Sequence, residues 1–329
     1  MKRPLDAQEI KEEFAGNSHD DYLSVRNCFI FGEPIGFFEP LTALQQQDSP
    51  LRAPLDTFGQ NLGSALLVGS IPFQFAHSNV LNVRFNQLLA AESIRALKFV
   101  EPGKGLDQAA EQLAREVAQK RMNEELADKS IIDRHANNTL RQLHFHSAAP
   151  DLRASSEELL RQVLVMSWGA FETVANDLVR LLLNLKPILV QDARQGRPYK
   201  DVLNARNLLD GLESARFNLA DCMGDFLSSL VSLDSLEKMQ TAAQVIFGSA
   251  VLDACLKDAR LWLIAQQRHL IVHRRSVVDE RYRERTGDLT AVGNKLTFDA
   301  AYVEQSMSVL RDIGCLLYSS ACGRLSALA

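Results

Sequence analysis

The sequence predicts a mainly α-helical protein: a helical bundle in the C-terminal half, preceded by an N-terminal α or α+β region of unassigned fold. Three observations predict it. Only 17 Gly and 10 Pro occur among 329 residues, a low share of the two residues that interrupt helices. No proline follows Pro198, which leaves the last 131 residues free to form long helices. Apolar residues there recur at alternating steps of three and four, the spacing that lines one helix face.

Residues 1–75 are the least regular, with Gly and Pro punctuating short apolar runs such as Phe29-Ile30-Phe31 and Ile71-Pro72-Phe73. The stretch from Phe37 to Pro54 reads as loop, and Ala65-Leu66-Leu67-Val68 reads equally as a buried strand or a helix end. From Asn86, the residues Leu88, Leu89, Ile94 and Leu97 suggest a helix ended by the turn Pro102-Gly103-Lys104-Gly105. Leu106 to about Leu126 predicts a surface helix with Leu106, Ala110, Leu113 and Val117 on its apolar face. A third helix is expected from Ile131 to about Phe145.

The small, polar segment 147–156 suggests a linker between an N-terminal region, 1–146, and a helical domain, 157–329. Ser155 and Glu158 have the spacing of a capping box. The stripe Leu160, Leu164, Ser167, Phe171, Val174, Leu178, Leu181 and Leu185 then predicts a long helix that Pro187 must stop. Shorter helices are expected between Asp201 and Phe247. A second long helix from about Ser249 carries Leu252, Leu256, Ala259, Leu263, Gln266, Leu270 and His273 as its stripe. Gly287 to Leu296 reads as loop, with a short extended piece at Lys295-Leu296-Thr297. Asp299 has the position of an N-cap, and Phe298 that of a staple against Val303. The last helix aligns Val303, Met307, Leu310, Gly314 and Leu317.

Composition narrows the function classes. The formal net charge of −5 divides into −4 for residues 1–150 and −1 for the rest, so any nucleic-acid site must be a local patch. The five cysteines, at 28, 222, 255, 315 and 322, form no C-x-x-C pair and fit reduced thiols; Cys315 and Cys322, seven apart, share a helix face. The start has no apolar run behind its basic residues, and Leu178 to Val190 is too short and too interrupted to cross a bilayer, so a cytoplasmic protein with no membrane contact is expected. The phosphate-loop, dinucleotide and nucleophile-elbow motifs are absent from the chain.

The stretch with chemical content is Gln267 to Tyr282. Arg268, His269 and His273 crowd one helix end, the two histidines four residues apart and therefore neighbours. Residues 268–285 hold six arginines against three acids, a window of +3 in an acidic chain, suited to RNA phosphates. Arg274, Arg275 and Arg281 are the candidate RNA contacts. The bland alternative is that His273, in line with Leu263 and Leu270, is a hydrogen-bonded core or interface histidine. Histidines at i and i+4 also chelate zinc, yet no H-E-x-x-H glutamate and no third ligand stand nearby, so neither a metal nor another cofactor is expected.

Arg268-His269-Leu270-Ile271-Val272-His273 resembles the R-polar-x-x-x-H signature of HEPN domains. The continuation H-R-R-x-V-V-D-x-x-Y is similar to the HEPN subgroup related to ribosomal-loop-type and abortive-infection ribonucleases. The helix Trp168-Gly-Ala-Phe171-Glu172-Thr-Val-Ala-Asn176-Asp177-Leu178 looks like the one that opens those domains, and the likeness covers about residues 154–325, including the Gly293-Asn-Lys-Leu296 turn. The resemblance implies an up-and-down HEPN bundle and a metal-independent endoribonuclease, a toxin or antiviral defence effector. It implies a homodimer with a composite site, and a protein partner that inhibits or activates it. His273 would be the general base on the ribose 2′-OH, Arg268 would stabilise charge on the scissile phosphate, and His269, where many members carry Asn or Asp, would orient His273 or touch phosphate. The alternative within the family is a non-catalytic dimer that binds RNA, a nucleotide or a protein. Glu172, Asn176 and Asp177, polar residues on the opening helix, could each approach the site, but read first as solvated surface residues.

Overall fold

The computed structural model describes residues 25–101, 104–196, 199–201, 212–213 and 218–328. It is mainly helical, with no strand among the described residues and a single isolated antiparallel bridge, Val277 to Lys295. The principal helices are α1 Glu39–Gln45, α2 Arg52–Leu97, α3 Gln108–Glu125, α4 Lys129–Ser147, α5 Pro150–Leu185, α6 Met223–Leu230, α7 Leu236–Ala242, α8 Ala250–Leu256, α9 Ala259–Arg274, α10 Glu280–Thr286 and α11 Ala300–Ala327. A π-helical turn, Ala243–Phe247, follows α7 and ends at Gly248 with a left-handed φ of 63°.

The chain forms two compact units, one of residues 1–32 and 69–158 and the other of 33–68 and 159–329. The boundary at Glu158 lies close to the division expected at 147–156, but the second unit also takes in residues 33–68 and the expected linker is helical. Residues 150–156 are helical because Pro150 opens α5 at the first-turn position where its missing N–H costs nothing. Ser155 is therefore inside the helix, its Oγ donating to the Asp151 carbonyl at 2.8 Å, and caps nothing. The irregular reading, which for residues 1–24 lies outside the described residues, fails from Arg52 onward, and the loop expected from Phe37 to Pro54 holds helix α1. Helix α2 runs straight through Ala65 to Phe73 and holds Pro72 in its interior. Gly59, Gly63, Gly69 and Pro72 lie within it and read as breaks in the sequence, which hid the helix.

In the first unit, Val25, Phe29, Leu140 and Leu143 form one core cluster and Leu88, Ala118 and Met122 another. Helix α3 buries Ala114, Ala118 and Met122, whereas Leu113 is exposed. The expected face of Leu106, Ala110, Leu113 and Val117 is thus rotated; two alanines let the neighbour approach more closely than leucines would. The turn residues Pro102 and Gly103 lie outside the described residues.

The second unit is built on α5 and α11. Leu160, Leu164, Phe171 and Leu178 of α5 are fully buried, each worth about 1.5–3 kcal/mol of apolar transfer. Pro187 ends the helix as expected, while Leu185 is exposed. The second long helix is in fact two. Asp258 breaks it by capping α9, its carboxylate accepting from Arg260 N at 2.7 Å, and the break shifts the buried stripe to Leu261, Ile264, Gln267, Leu270 and Ile271. Helix α11 buries Val303, Met307, Leu310, Gly314 and Leu317 as expected and packs against α1, α8 and α9. Gly314 is required there, since a Cβ would come within 2.4 Å of the Phe58 ring. Asp299 caps α11 through Tyr302 N, but Phe298 stacks on Tyr302 with centroids 5.7 Å apart. Cys315 is buried, its thiol pushed up to about 11 by burial, and all described cysteines are free thiols.

Among the described residues no helix is long and apolar enough to cross a membrane.

Candidate functional site

Helix α9 delivers the motif, and its C-terminus is pinned from two sides. Arg275 and Ser276 both adopt left-handed backbone, φ 51° and 66°, unusual for residues with a Cβ. This turn lets the backbone N–H groups of Arg275 and Ser276 both reach the Leu270 carbonyl. The chain then pairs with the loop before α11: Val278 N donates to Asn294 O at 2.9 Å, and Leu296 N to Ser276 O at 2.8 Å. The extended piece expected at Lys295 is this bridge. Arg161 of α5, buried, anchors the same loop by donating from Nε to the Leu296 carbonyl. Strain concentrated at one helix end, and held by these bonds, fixes the direction of the side chains just before it.

Those side chains border a cleft of about 490 Å³ formed by α5, α7, α9 and α10. Four of the six candidate residues line it, Arg268, His269, Arg274 and Arg281, and Arg285 joins them. His273 and Arg275 do not. His273 is exposed on the next turn, its ring 4.5 Å from that of His269 between centroids. The expectation that His273 belongs to the apolar stripe is corrected by the Asp258 break, which turns Gln267 inward in its place. Buried Gln267 is satisfied by the Tyr302 hydroxyl, which donates to Oε1 at 2.6 Å.

Electrostatics sort the cations. Arg268 Nη2 lies 3.6 Å from Glu172 Oε2, while its Nε is buried with no hydrogen-bond partner. Arg274 Nε lies 3.7 Å from Asp279 Oδ2. Both separations are too long for a charge-assisted hydrogen bond, so the guanidinium groups retain bonding capacity. Arg285 stands over the Trp262 ring, 5.9 Å from its centroid. His269 has its pKa lowered, first by burial and then by the nearby charges of His273, Arg268, Arg281 and Arg285.

Of the three polar residues of the opening helix, one reaches the site. Glu172 approaches Arg268 rather than standing in solvent, whereas Asn176 accepts from Leu233 N and Asp177 pairs with Arg180. Asp234 and Glu237, from a distant stretch, add acid to the cleft wall and dilute the local excess of +3. Trp168 and Trp262 provide aromatic surface; the spacing of Trp262, Gln266 and His269 at steps of four and three was a legible signal for one shared face. Among the described residues no group of three or more His, Cys, Asp or Glu is arranged to hold a metal ion.

The fold and site define a helical protein with a mixed-charge, arginine-rich cleft next to a histidine pair. Compared with known proteins, the chain matches no family model, no curated protein and no solved structure.

Proposed function

We propose that the second unit is an HEPN-like endoribonuclease that cuts RNA without a metal, as a homodimer with a composite site. The observation that carries this reading is the meeting of Arg268 and His269 in one cleft with Arg274, Arg281 and Arg285, with His273 exposed beside them. Arg268 supplies bidentate charge stabilisation to the scissile phosphate. The histidine pair supplies the base: an imidazole takes the proton of the 2′-OH, the O2′–P bond forms, and the P–O5′ bond breaks. The 5′ oxygen leaves with a proton from a second imidazole, giving a 2′,3′-cyclic phosphate and a 5′-hydroxyl. The place of His269 on the cleft wall suits the base, and the exposure of His273 suits a position facing a second copy.

A second reading, RNA binding without cleavage, is favoured by the ion pairs that Glu172 and Asp279 make with two of the arginines. Incubation of RNA with the full chain in EDTA, followed by denaturing electrophoresis and end-group analysis, separates the two. Cleavage with cyclic-phosphate ends that disappears in Arg268→Ala and in both histidine variants supports the nuclease. Binding without cleavage supports the second reading, and equal cleavage by wild type and all variants overturns the assignment.

A further inference from the structure

The first unit has its own cleft, about 460 Å³, walled by α2 and α4 with Glu125 of α3 at one side. Its chemistry differs from a solvated groove. His135 is only 4% exposed, yet its Nε2 has no hydrogen-bond partner; the nearest acid oxygen, Glu125 Oε2, is 3.7 Å away. That carboxylate is already held by Arg84, which donates to it from both Nε and Nη2. On the same wall Gln142 Oε1 is likewise buried without a partner. Buried polar atoms are nearly always satisfied, so two orphans on one cleft wall require an explanation.

The rest of the lining says what would satisfy them. Val80, Val83 and Ile131 offer apolar surface, Asn79 and Asn138 offer amide donors and acceptors, and Arg134 brings a cation. An inorganic anion would leave the apolar surface and the Gln142 acceptor unused. A fatty acid has no donor for Gln142. A flat heterocycle with donors and acceptors on its edge, joined to a phosphate, uses all of them, and the volume lies within the range of small-molecule sites. We propose that this cleft binds a mononucleotide, its base edge on His135, Asn138 and Gln142 and its phosphate on Arg134. None of the residues of the Arg268 cleft takes part.

Calorimetric titration of the full chain with AMP, GMP, CMP and UMP, and with adenosine and inorganic phosphate as separate arms, tests the site. At least one mononucleotide is expected to bind, with the nucleoside and phosphate arms at least about tenfold weaker, a difference of about 1.4 kcal/mol. Arg134→Ala and Gln142→Leu should each weaken it about tenfold or more, and Arg268→Ala should leave it unchanged, with thermal melting showing each variant folded. Should Arg134→Ala fail to fold, the half-buried Gln142→Leu decides alone. No binding at about 1 mM, phosphate binding as tightly as the nucleotide, affinity retained in a folded variant, or loss in Arg268→Ala would each overturn the proposal.

Discussion

The two clefts are close in volume, about 490 and about 460 Å³, and differ in how their charges are committed. In the second unit four arginines meet three acids, and the two ion pairs are long, at 3.6 and 3.7 Å. In the first unit Arg84 and Glu125 close a bidentate pair, and amides make up most of the remaining polar lining. Uncommitted guanidinium groups attract a polyanion from a distance; committed ones leave selection to hydrogen bonding and shape. Size alone says little about a cleft, and the pairing state of its charges says more.

The largest effect expected from breaking this contrast is on catalysis. Arg268→Ala should lower RNA cleavage about 10²–10³-fold, the usual scale for losing one donor to a developing anion, as measured by initial rates under EDTA. Next, Trp262→Ala removes a stacking face and should weaken binding of single-stranded RNA by about 1–3 kcal/mol, read by fluorescence anisotropy. Since Arg285 stands over this ring, an unchanged affinity would mean that the cation, not a base, is its partner.

A smaller effect sharpens the pairing argument. Glu172→Gln frees Arg268 from its counter-charge and should tighten RNA binding several-fold at low salt. The slope of log affinity against log salt should steepen by about 0.7 for one added phosphate contact on a single strand. Identical slopes in wild type and variant would show that Glu172 never competes with phosphate.

The smallest effect concerns the first unit. His77 and His135 both have pKa values lowered, chiefly by burial, from the ordinary 6.5. Between that value and the lower folded-state value the unfolded chain binds more protons, so stability falls as pH drops through this window and recovers above it. Thermal melting at about pH 7.5 and about pH 5.5 should show a drop in Tm that His135→Gln reduces. His269 is shifted in the same direction, but it is exposed and solvent screens its contribution. An equal drop in His135→Gln would move the pH dependence elsewhere.

Strong signals in the sequence translated directly into structure. Pro187 ends α5, Asp299 caps α11, and the stripe of α11 is buried residue for residue because one helix face met one core. Weaker signals were misread where tertiary context outweighed local pattern. A continuous stripe from Leu252 to His273 ignored Asp258, whose cap interrupts the helix and rotates the turns from Ala259 onward. Helix α2 passes through Pro72 because an interior proline removes one hydrogen bond, a cost that packing of a 46-residue helix can absorb. At the site, Arg268 and His269 were legible because they are adjacent in sequence. Asp234 and Glu237 were not, since they lie 34 and 31 residues from Arg268 and only folding brings them near it; Glu172, 96 residues away, was one of three open candidates that folding alone could separate.

By itself the sequence determined the helical class, the position of the final helix and the cluster of basic and imidazole side chains at one helix end. These features rest on local rules: propensity, capping and the spacing of residues along one helix. Tertiary structure alone decided that His269 faces the cleft while His273 faces outward, and that Arg268 meets Glu172. Both outcomes depend on the left-handed turn at Arg275 and Ser276 and on the bridge from Val277 to Lys295. Contacts between residues far apart in the chain set the angle at which a helix presents its face, and local spacing has no means to encode that angle.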